Sequence, residues 1–263
     1  MEPLPYISIN EKASRTILLL HGGFSSGAEW GKVAEHLPEF HLLIPELHRF
    51  PASLEWTFAS IAPFLKELIL TRAHQGQADV CGLSMGGFLS IYFAANYPDL
   101  VRNIFASGCH HQFKWYRTMG LAIGFDSFCQ RAAPKWLFLF VAEKVIGLQN
   151  GEALYNAAKE NTPTAGSFKG GQDIAKALGT EVPQAVFEAV KSKTLLVAGS
   201  KEFGLSRMKG NASWLQVGNG DSRGVIVAGQ GHPWNQQDPA LFAQGILCWF
   251  EGRPLPEQFK LLE

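Results

Sequence analysis

The sequence predicts an α/β fold with a mostly parallel central sheet flanked by helices, and three observations support this prediction. Apolar segments without polar alternation, such as residues 15–20, are typical of strands buried on both faces of a parallel sheet. Glycine-rich turns follow several of these segments, and one turn leads directly into an apolar helix. A chain of 263 residues can bury one large core, and α/β folds of this length are commonly single domains.

The predicted strands follow one another along the chain and end at turns. The last of them leads through a glycine-rich loop to a helix predicted from about Pro239 to Phe250. The strands are expected at Tyr6–Ile9, residues 15–20, His41–Pro45, residues 78–83, Val101–Ser107, residues 193–199 and residues 223–228.

The turn Gly-Leu-Ser-Met-Gly, centred on Ser84, joins a predicted strand to a predicted helix. This is the pattern of a nucleophile elbow, in which a strained turn lifts a serine hydroxyl above the sheet. A side chain at Gly82 or Gly86 would collide with neighbouring backbone, and Gly87 lets the helix start close to the sheet. The backbone N–H of Met85 would face an oxyanion at the positive end of that helix. The pattern alone arises by chance in about one such sequence in five, so its context matters.

A second motif, His-Gly-Gly-Phe, follows the strand at residues 15–20, and Trp30 lies nine residues after its histidine. The glycines let backbone N–H groups face a reacting centre. We expect Gly23 or Phe24 to supply the second oxyanion donor. His21 is predicted to be structural, because it sits where a loop turns back.

Two later segments supply a candidate base and a candidate acid. His232 follows a strand and a glycine-rich loop, and open α/β sheets keep their ligand sites at such strand ends. Glu202 follows the strand that ends at Gly199, at a position that normally carries aspartate. The alternative is a solvated glutamate beside Lys201. The chain order serine, acid, histidine suits a hydrolytic triad.

Together these motifs resemble the α/β-hydrolases, in particular single-domain, cap-bearing serine hydrolases of the esterase, lactonase or thioesterase kind. The resemblance implies Ser84 as nucleophile, His232 as base and Glu202 as orienting acid. It also implies an oxyanion hole of Met85 with Gly23 or Phe24.

Two departures from the family pattern affect the edge and the pocket. Only twenty residues precede His21, which predicts that the first strand of the family is missing and that Tyr6–Ile9 forms the sheet edge. After His41–Pro45 the usual aspartate and glycine-rich turn are replaced by Glu-Leu-His-Arg. His48 and Arg49 of this segment either touch substrate or belong to a surface loop.

The segment between Ser107 and Lys193 does not alternate strand and helix, and the family carries its cap at this place. We therefore expect a core at residues 1–108 and 191–263 and a helical cap at residues 109–190, with an apolar helix at residues 136–148. Gly166, Gly170 and Gly171 suggest a flexible second half that gates entry. The predicted substrate contacts are His110, His111, Trp115, Trp136, Phe140 and Trp234.

Cys109, His110 and His111 form a further cluster at a strand end. Adjacent residues do not easily converge on one tetrahedral metal ion, and no other cysteine or histidine lies at a helpful spacing. Besides a metal site, the cluster has three other interpretations: a Cys–His nucleophile pair, walls of the substrate pocket, or ordinary loop residues. No metal or cofactor is predicted.

The amino-acid composition limits which partners and compartments we expect, but it does not distinguish between possible functions. The 23 basic and 23 acidic residues balance, which argues against a nucleic-acid partner. The first fifteen residues lack a signal-peptide pattern, no apolar run is long enough to span a membrane, and the four cysteines show no pairing pattern. We expect a cytoplasmic protein that binds a small-molecule substrate and could form a homodimer.

The sequence thus predicts a serine hydrolase that cleaves an ester, lactone or thioester of a largely apolar small molecule through an acyl-enzyme on Ser84. Two alternatives remain, because a fold does not dictate a function. The first is a non-hydrolytic lyase, cyclase or C–C bond-cleaving enzyme that uses His232 as base. The second is a small-molecule receptor.

Overall fold

The computed structural model describes residues 3–23, 25–51, 53–110, 134–145, 147–149, 151–160 and 168–262. These residues contain eight strands in one sheet, in the order β1-β3-β2-β4-β5-β6-β7-β8. The edge strands β1 and β8 are antiparallel to their neighbours, and the other pairings are parallel. This confirms the mostly parallel sheet and the edge position of Tyr6–Ile9. The strands are β1 Tyr6–Ile9, β2 Thr16–Leu20, β3 His41–Pro45, β4 Ala78–Leu83, β5 Val101–Ser107, β6 Lys193–Gly199, β7 Arg223–Val227 and β8 Phe259–Leu261.

Helices connect the strands and cover both faces of the sheet. The helices are α1 Gly31–Ala34, α2 Phe58–Arg72, α3 Met85–Asn96, α4 Lys135–Leu139, α5 Gly151–Glu160, α6 Phe168–Thr180, α7 Gln184–Ala189, α8 Met208–Gly218, α9 Trp234–Gln237 and α10 Pro239–Phe250. A π-helical turn, Phe140–Val145, continues α4. Short 3-10 turns lie at Gly27–Trp30, Leu47–Arg49, His74–Gly76, Pro98–Leu100 and Leu205–Arg207. No helix in the described parts of the chain combines the length and hydrophobicity needed to span a bilayer.

Alternate strand residues divide the core into two layers. Leu18 and Leu20 of β2 pack into the layer that includes residues of α2, α3 and α8. Ile17 and Leu19 point the other way, into the layer that includes residues of α1 and α10. Both faces of the central strands are therefore buried, which explains why their sequences show no polar alternation.

The elbow between β4 and α3 has no room for side chains at its glycines. A Cβ on Gly86 would lie 2.0 Å from the carbonyl oxygen of Leu20, and one on Gly82 would lie 2.2 Å from the carbonyl oxygen of Gly86. A Cβ on Gly87 would lie 2.9 Å from Cβ of Cys109. These contacts confirm the steric roles predicted for the three glycines.

The described residues between β5 and β6 lie in α4–α7, the π-helical turn and short connections, and no strand occurs among them. The predicted apolar helix begins at Lys135 and continues through the π-helical turn. Gly170 and Gly171 lie inside α6, Gly166 lies outside the described residues, and the gating role of this half stays a prediction. The division into a core and a cap at residues 109–190 stays a prediction.

The elbow gives a test of the fold with a matched control. Gly86→Ala places a methyl group against the Leu20 carbonyl, so we expect its free energy of unfolding to fall by about 3 kcal/mol or more. Gly210 lies on an exposed part of α8 with open space around it. Gly210→Ala should therefore raise the free energy of unfolding by about 0.5–1 kcal/mol. Urea denaturation of both variants checks the prediction, and equal stabilities for the two would contradict it.

Candidate active site

Ser84 occupies a strained position at the carboxyl edge of the sheet. Its backbone has φ 54° and ψ −115°, a region that residues other than glycine avoid at a cost of about 1–3 kcal/mol. The Ser84 N–H donates to the carbonyl of Ser107 at 2.7 Å, which ties the elbow to the end of β5. The side chain remains partly exposed, at the edge where open α/β sheets bind ligands.

The two regions predicted to bind an oxyanion lie side by side. Met85 is the first residue of α3, where helix N–H groups have no partner within the helix. A Cβ on Gly23 would lie 3.8 Å from Cβ of Met85, so the glycine loop (residues 22–27) borders the start of α3. Ile174 of α6 covers the same loop, 3.9 Å from that Cβ position. Phe24 lies outside the described residues.

Glu202 reaches His232. Its Oε2 lies 2.7 Å from Nδ1 of His232, and its Oε1 accepts a hydrogen bond from the Gly199 N–H at 2.7 Å. The Glu202 side chain is 2% exposed, whereas the His232 side chain is 44% exposed. The alternative of a solvated glutamate is therefore wrong, because Glu202 folds back into its own turn.

Gly108 links the histidine to the elbow. It has φ +64°, and a Cβ at this position would lie 2.6 Å from Cε1 of His232. The imidazole thus packs directly on the residue that follows Ser107, the hydrogen-bond partner of Ser84. Ser84 follows β4 and His232 follows β7, and both meet the Ser107–Gly108 segment at the end of β5, although 147 residues separate them in the chain.

A model of the alpha/beta hydrolase fold family matches residues 15–232 of the chain. The chain belongs to the alpha/beta hydrolase fold family. A curated relative, an "AB hydrolase superfamily protein" of Gibberella zeae, is 28% identical and covers 94% of this chain and 84% of the relative. Lipase 1 of Psychrobacter immobilis is 29% identical over 108 residues, which are 39% of this chain and 34% of the lipase. The solved enol-lactonase of Burkholderia xenovorans LB400 has a TM-score of 0.72 at 14% identity, over 94% of this chain and 96% of that one. These comparisons support a hydrolase of the alpha/beta family.

The structure places Cys109 and His110 of this α/β-hydrolase inside the protein. Burial raises the pKa of the Cys109 thiol well above its usual range, so the thiol stays protonated and is a poor nucleophile. His110 Nε2 lies 2.9 Å from the carbonyl of Phe203, and its backbone oxygen accepts from Asn211 Nδ2. His110 therefore holds the turn that carries Glu202, and as a buried residue it offers no surface to a substrate.

The remaining predicted substrate contacts fall into three groups. Trp234 is fully buried between strand and helix residues, and its Nε1 donates to Ser107 Oγ at 2.9 Å. This placement gives Trp234 a packing role and does not support substrate contact. Trp136 and Phe140 are exposed by 71% and 56%, and their contact with substrate stays a prediction. His111 and Trp115 lie outside the described residues.

Sequence reasoning missed Glu29, which lies buried beneath the elbow. Its Oε1 accepts from the Gly22 N–H at 3.0 Å. A Cβ on Gly22 would lie 3.6 Å from Oε2 of Glu29 and 3.8 Å from Cβ of Ser84, so this carboxyl group is close to the candidate nucleophile. Burial raises the pKa of Glu29 to about 7. The sequence offered no signal beyond an acid in a Gly- and Ser-rich loop, which usually faces solvent.

A second, half-buried acid supports the other end of the glycine loop. Glu46 Oε2 accepts from the Gly27 N–H at 2.9 Å and lies 3.0 Å from Nδ1 of His48. Of the two residues left open by the sequence, His48 is buried beside His21, and Arg49 is exposed. Burial lowers the pKa of His21 to about 4, and its Nδ1 lies 2.8 Å from the Gly22 carbonyl. The predicted structural role of His21 agrees with this contact.

The raised pKa of Glu29 predicts a pH effect on stability. Because the folded pKa of about 7 exceeds the ordinary value of 4.5, folding favours the protonated acid. The stability that this proton supports is present at low pH and is lost as pH rises through 7. Glu29→Gln keeps an acceptor for Gly22 but cannot ionise. The free energy of unfolding of the variant minus that of the wild type should therefore increase by about 2–3 kcal/mol between pH 5 and pH 8.

Urea denaturation of both proteins at the two pH values measures this difference, in which contributions from other titrating groups cancel. Glu67→Gln on the exposed face of α2 is the control and should show no such change. A pH dependence of Glu29→Gln that parallels the wild type would contradict the prediction.

Proposed function

We propose that this α/β-hydrolase is a serine hydrolase that cleaves an ester, lactone or thioester of a largely apolar small molecule. The observation that carries the proposal is the strained Ser84 at the start of α3, whose N–H is bonded to Ser107, while the next residue, Gly108, supports a histidine that contacts a buried glutamate. A nucleophile, a base and an orienting acid on three separate loops are the parts that acyl transfer needs.

The proposed reaction begins with proton transfer from Ser84 to His232. Glu202 is a hydrogen-bond acceptor, so the neutral imidazole carries its proton on Nδ1 and leaves Nε2 to receive the serine proton. As Oγ attacks the carbonyl carbon, the Glu202 carboxylate stabilises the imidazolium that forms. The burial of Glu202 strengthens this interaction, since little solvent screens it.

The tetrahedral intermediate places its oxyanion between the glycine loop and α3. In the proposed mechanism the Met85 N–H and the N–H of Gly23 or Phe24 donate to this oxygen, and each donor is worth about 3 kcal/mol of barrier. His232 then gives its proton to the leaving alcohol or thiol. Water attacks the acyl-enzyme with His232 as base, which releases the carboxylic acid and regenerates Ser84.

The proposed substrate is largely apolar. Ile174 and the Met85 side chain border Gly23, so an acyl or alcohol group bound there would meet hydrocarbon and a thioether. The names of two similar proteins, a lipase and an enol-lactonase, agree with an ester-type bond.

A fluorophosphonate probe tests the activated serine directly. Intact-mass measurement should show one adduct on the wild type and none on Ser84→Ala. The variant should also lose hydrolysis of an ester, lactone and thioester panel. Its free energy of unfolding should stay within about 1 kcal/mol of the wild-type value. Hydrolysis in ¹⁸O-water should place one labelled oxygen in the acid product. No adduct on a folded wild type would contradict the proposal, and turnover without ¹⁸O would favour a base-catalysed lyase or cyclase.

The contact between Glu202 and His232 predicts that two substitutions of Glu202 lower kcat/KM by different amounts. Glu202→Gln presents an amide to His232 and should lower kcat/KM by about 10³–10⁴, because it no longer stabilises the imidazolium. Glu202→Asp keeps the charge but is one methylene shorter, so it cannot serve both the Gly199 N–H and His232; we expect a loss of about 10–100-fold. The rate of fluorophosphonate labelling should fall in the same order. Rates within twofold of the wild type for both variants would remove Glu202 from the mechanism.

A further inference from the structure

We propose that His21, Glu46 and His48 form a binding site for one divalent transition-metal ion of the Zn²⁺ type. One ring nitrogen from each histidine and one carboxylate oxygen of Glu46 lie within 4.8 Å of one another. These three residues, here called the His–Glu–His cluster, lie at the ends of β2 and β3. The proposal does not depend on the hydrolase function proposed for Ser84.

The tautomer of His21 leaves one nitrogen ready to ligate. The Gly22 carbonyl oxygen can only accept, so the Nδ1 that lies 2.8 Å from it carries the ring proton. Nε2 of the neutral ring therefore holds a lone pair. This nitrogen is buried and makes no hydrogen bond within the described residues. A metal ion would satisfy it, and a backbone carbonyl on the opposite ring nitrogen is the usual support of a metal-bound histidine.

Glu46 and His48 are already close to the spacing that a metal ion imposes. Oε2 of Glu46 lies 3.0 Å from Nδ1 of His48, and two ligands of a tetrahedral Zn²⁺ are separated by about 3.3 Å. The Gly27 N–H donates to the same carboxylate and fixes its orientation. For Nδ1 of His48 to bind the ion it must be unprotonated, so a proton on this nitrogen would move to Nε2 of the same ring or leave to solvent.

The donor set selects the kind of ion. Two imidazole nitrogens and one carboxylate oxygen suit Zn²⁺ and similar transition metals, whereas Ca²⁺ and Mg²⁺ prefer sites made only of oxygen. A bound ion would join the end of β2 to the turn after β3. Because Glu46 also accepts a hydrogen bond from the Gly27 N–H, a bound ion would restrict the motion of the glycine loop at Gly27.

Titration of the chelator-treated protein with ZnCl₂ tests the site. Titration calorimetry should give one Zn²⁺ site per chain, and scanning calorimetry should show a higher melting temperature with Zn²⁺ than without it. Co²⁺ should produce the visible absorption of a tetrahedral complex. His48→Gln and Glu46→Gln each remove one ligand but keep a hydrogen-bonding side chain. Each should weaken Zn²⁺ binding by at least about 100-fold, since even the loss of an outer partner costs 10–100-fold. His74→Gln, at a half-buried histidine beside buried His41, is the matched control and should bind as the wild type does.

Two outcomes would overturn the proposal. The first is a folded wild type that shows neither saturable Zn²⁺ binding nor a Co²⁺ spectrum. The second is binding of equal strength in the wild type and in both cluster variants, which would place the ion elsewhere. If one cluster variant fails to fold, the other variant still shows whether the Co²⁺ spectrum of the wild type comes from the His–Glu–His cluster.

Discussion

Helix α3 crosses the ends of β2 and β4 so closely that backbone meets backbone. The Leu20 carbonyl occupies the space where Gly86 would carry a side chain, and the Gly86 carbonyl does the same for Gly82. This contact fixes where α3 begins, which forces Ser84 into its strained conformation and sets Met85 against Gly23. The strain persists because the flanking strands and helix are buried and cannot shift to relieve it.

The glycine loop leads from β2 to the 3-10 turn that begins at Gly27, and the N–H groups of Gly22 and Gly27 take their partners from acidic side chains of other segments. Glu29 accepts from Gly22 at one end of the loop, and Glu46 accepts from Gly27 at the other. Glu29 is buried and Glu46 is half-buried. Burying a carboxyl group is costly unless it is hydrogen-bonded, and the two N–H donors offset that cost. The bond from Gly22 to Glu29 fixes the residue just before Gly23, which lies beside Met85 where the proposed oxyanion would bind.

The features that the sequence predicted well depend on local contacts. Unalternating apolar runs identified the central strands, and the elbow glycines follow from a turn only five residues long. Distant contacts were predicted only where the resemblance to a known family supplied them, as for Glu202 and His232, and others were missed. Nothing in the sequence shows that Glu29 turns inward, or that His21 meets a histidine 27 positions later. Trp234 looked like a pocket residue because it lies two positions after His232, yet α9 turns it into the core.

Glutamate in place of aspartate at position 202 is explained by how the acid and histidine loops interlock. The Lys201 N–H donates to the Gln230 carbonyl, and the Gly229 N–H donates to Ser200 Oγ, so the two loops form one hydrogen-bonded unit. Within this unit Glu202 makes a tight turn back to Gly199 and still has to reach the ring of His232. The extra methylene of glutamate supplies that span. Although His232 is largely exposed, its ring is held by Glu202 on one edge and by Gly108 beneath, so its orientation does not depend on burial.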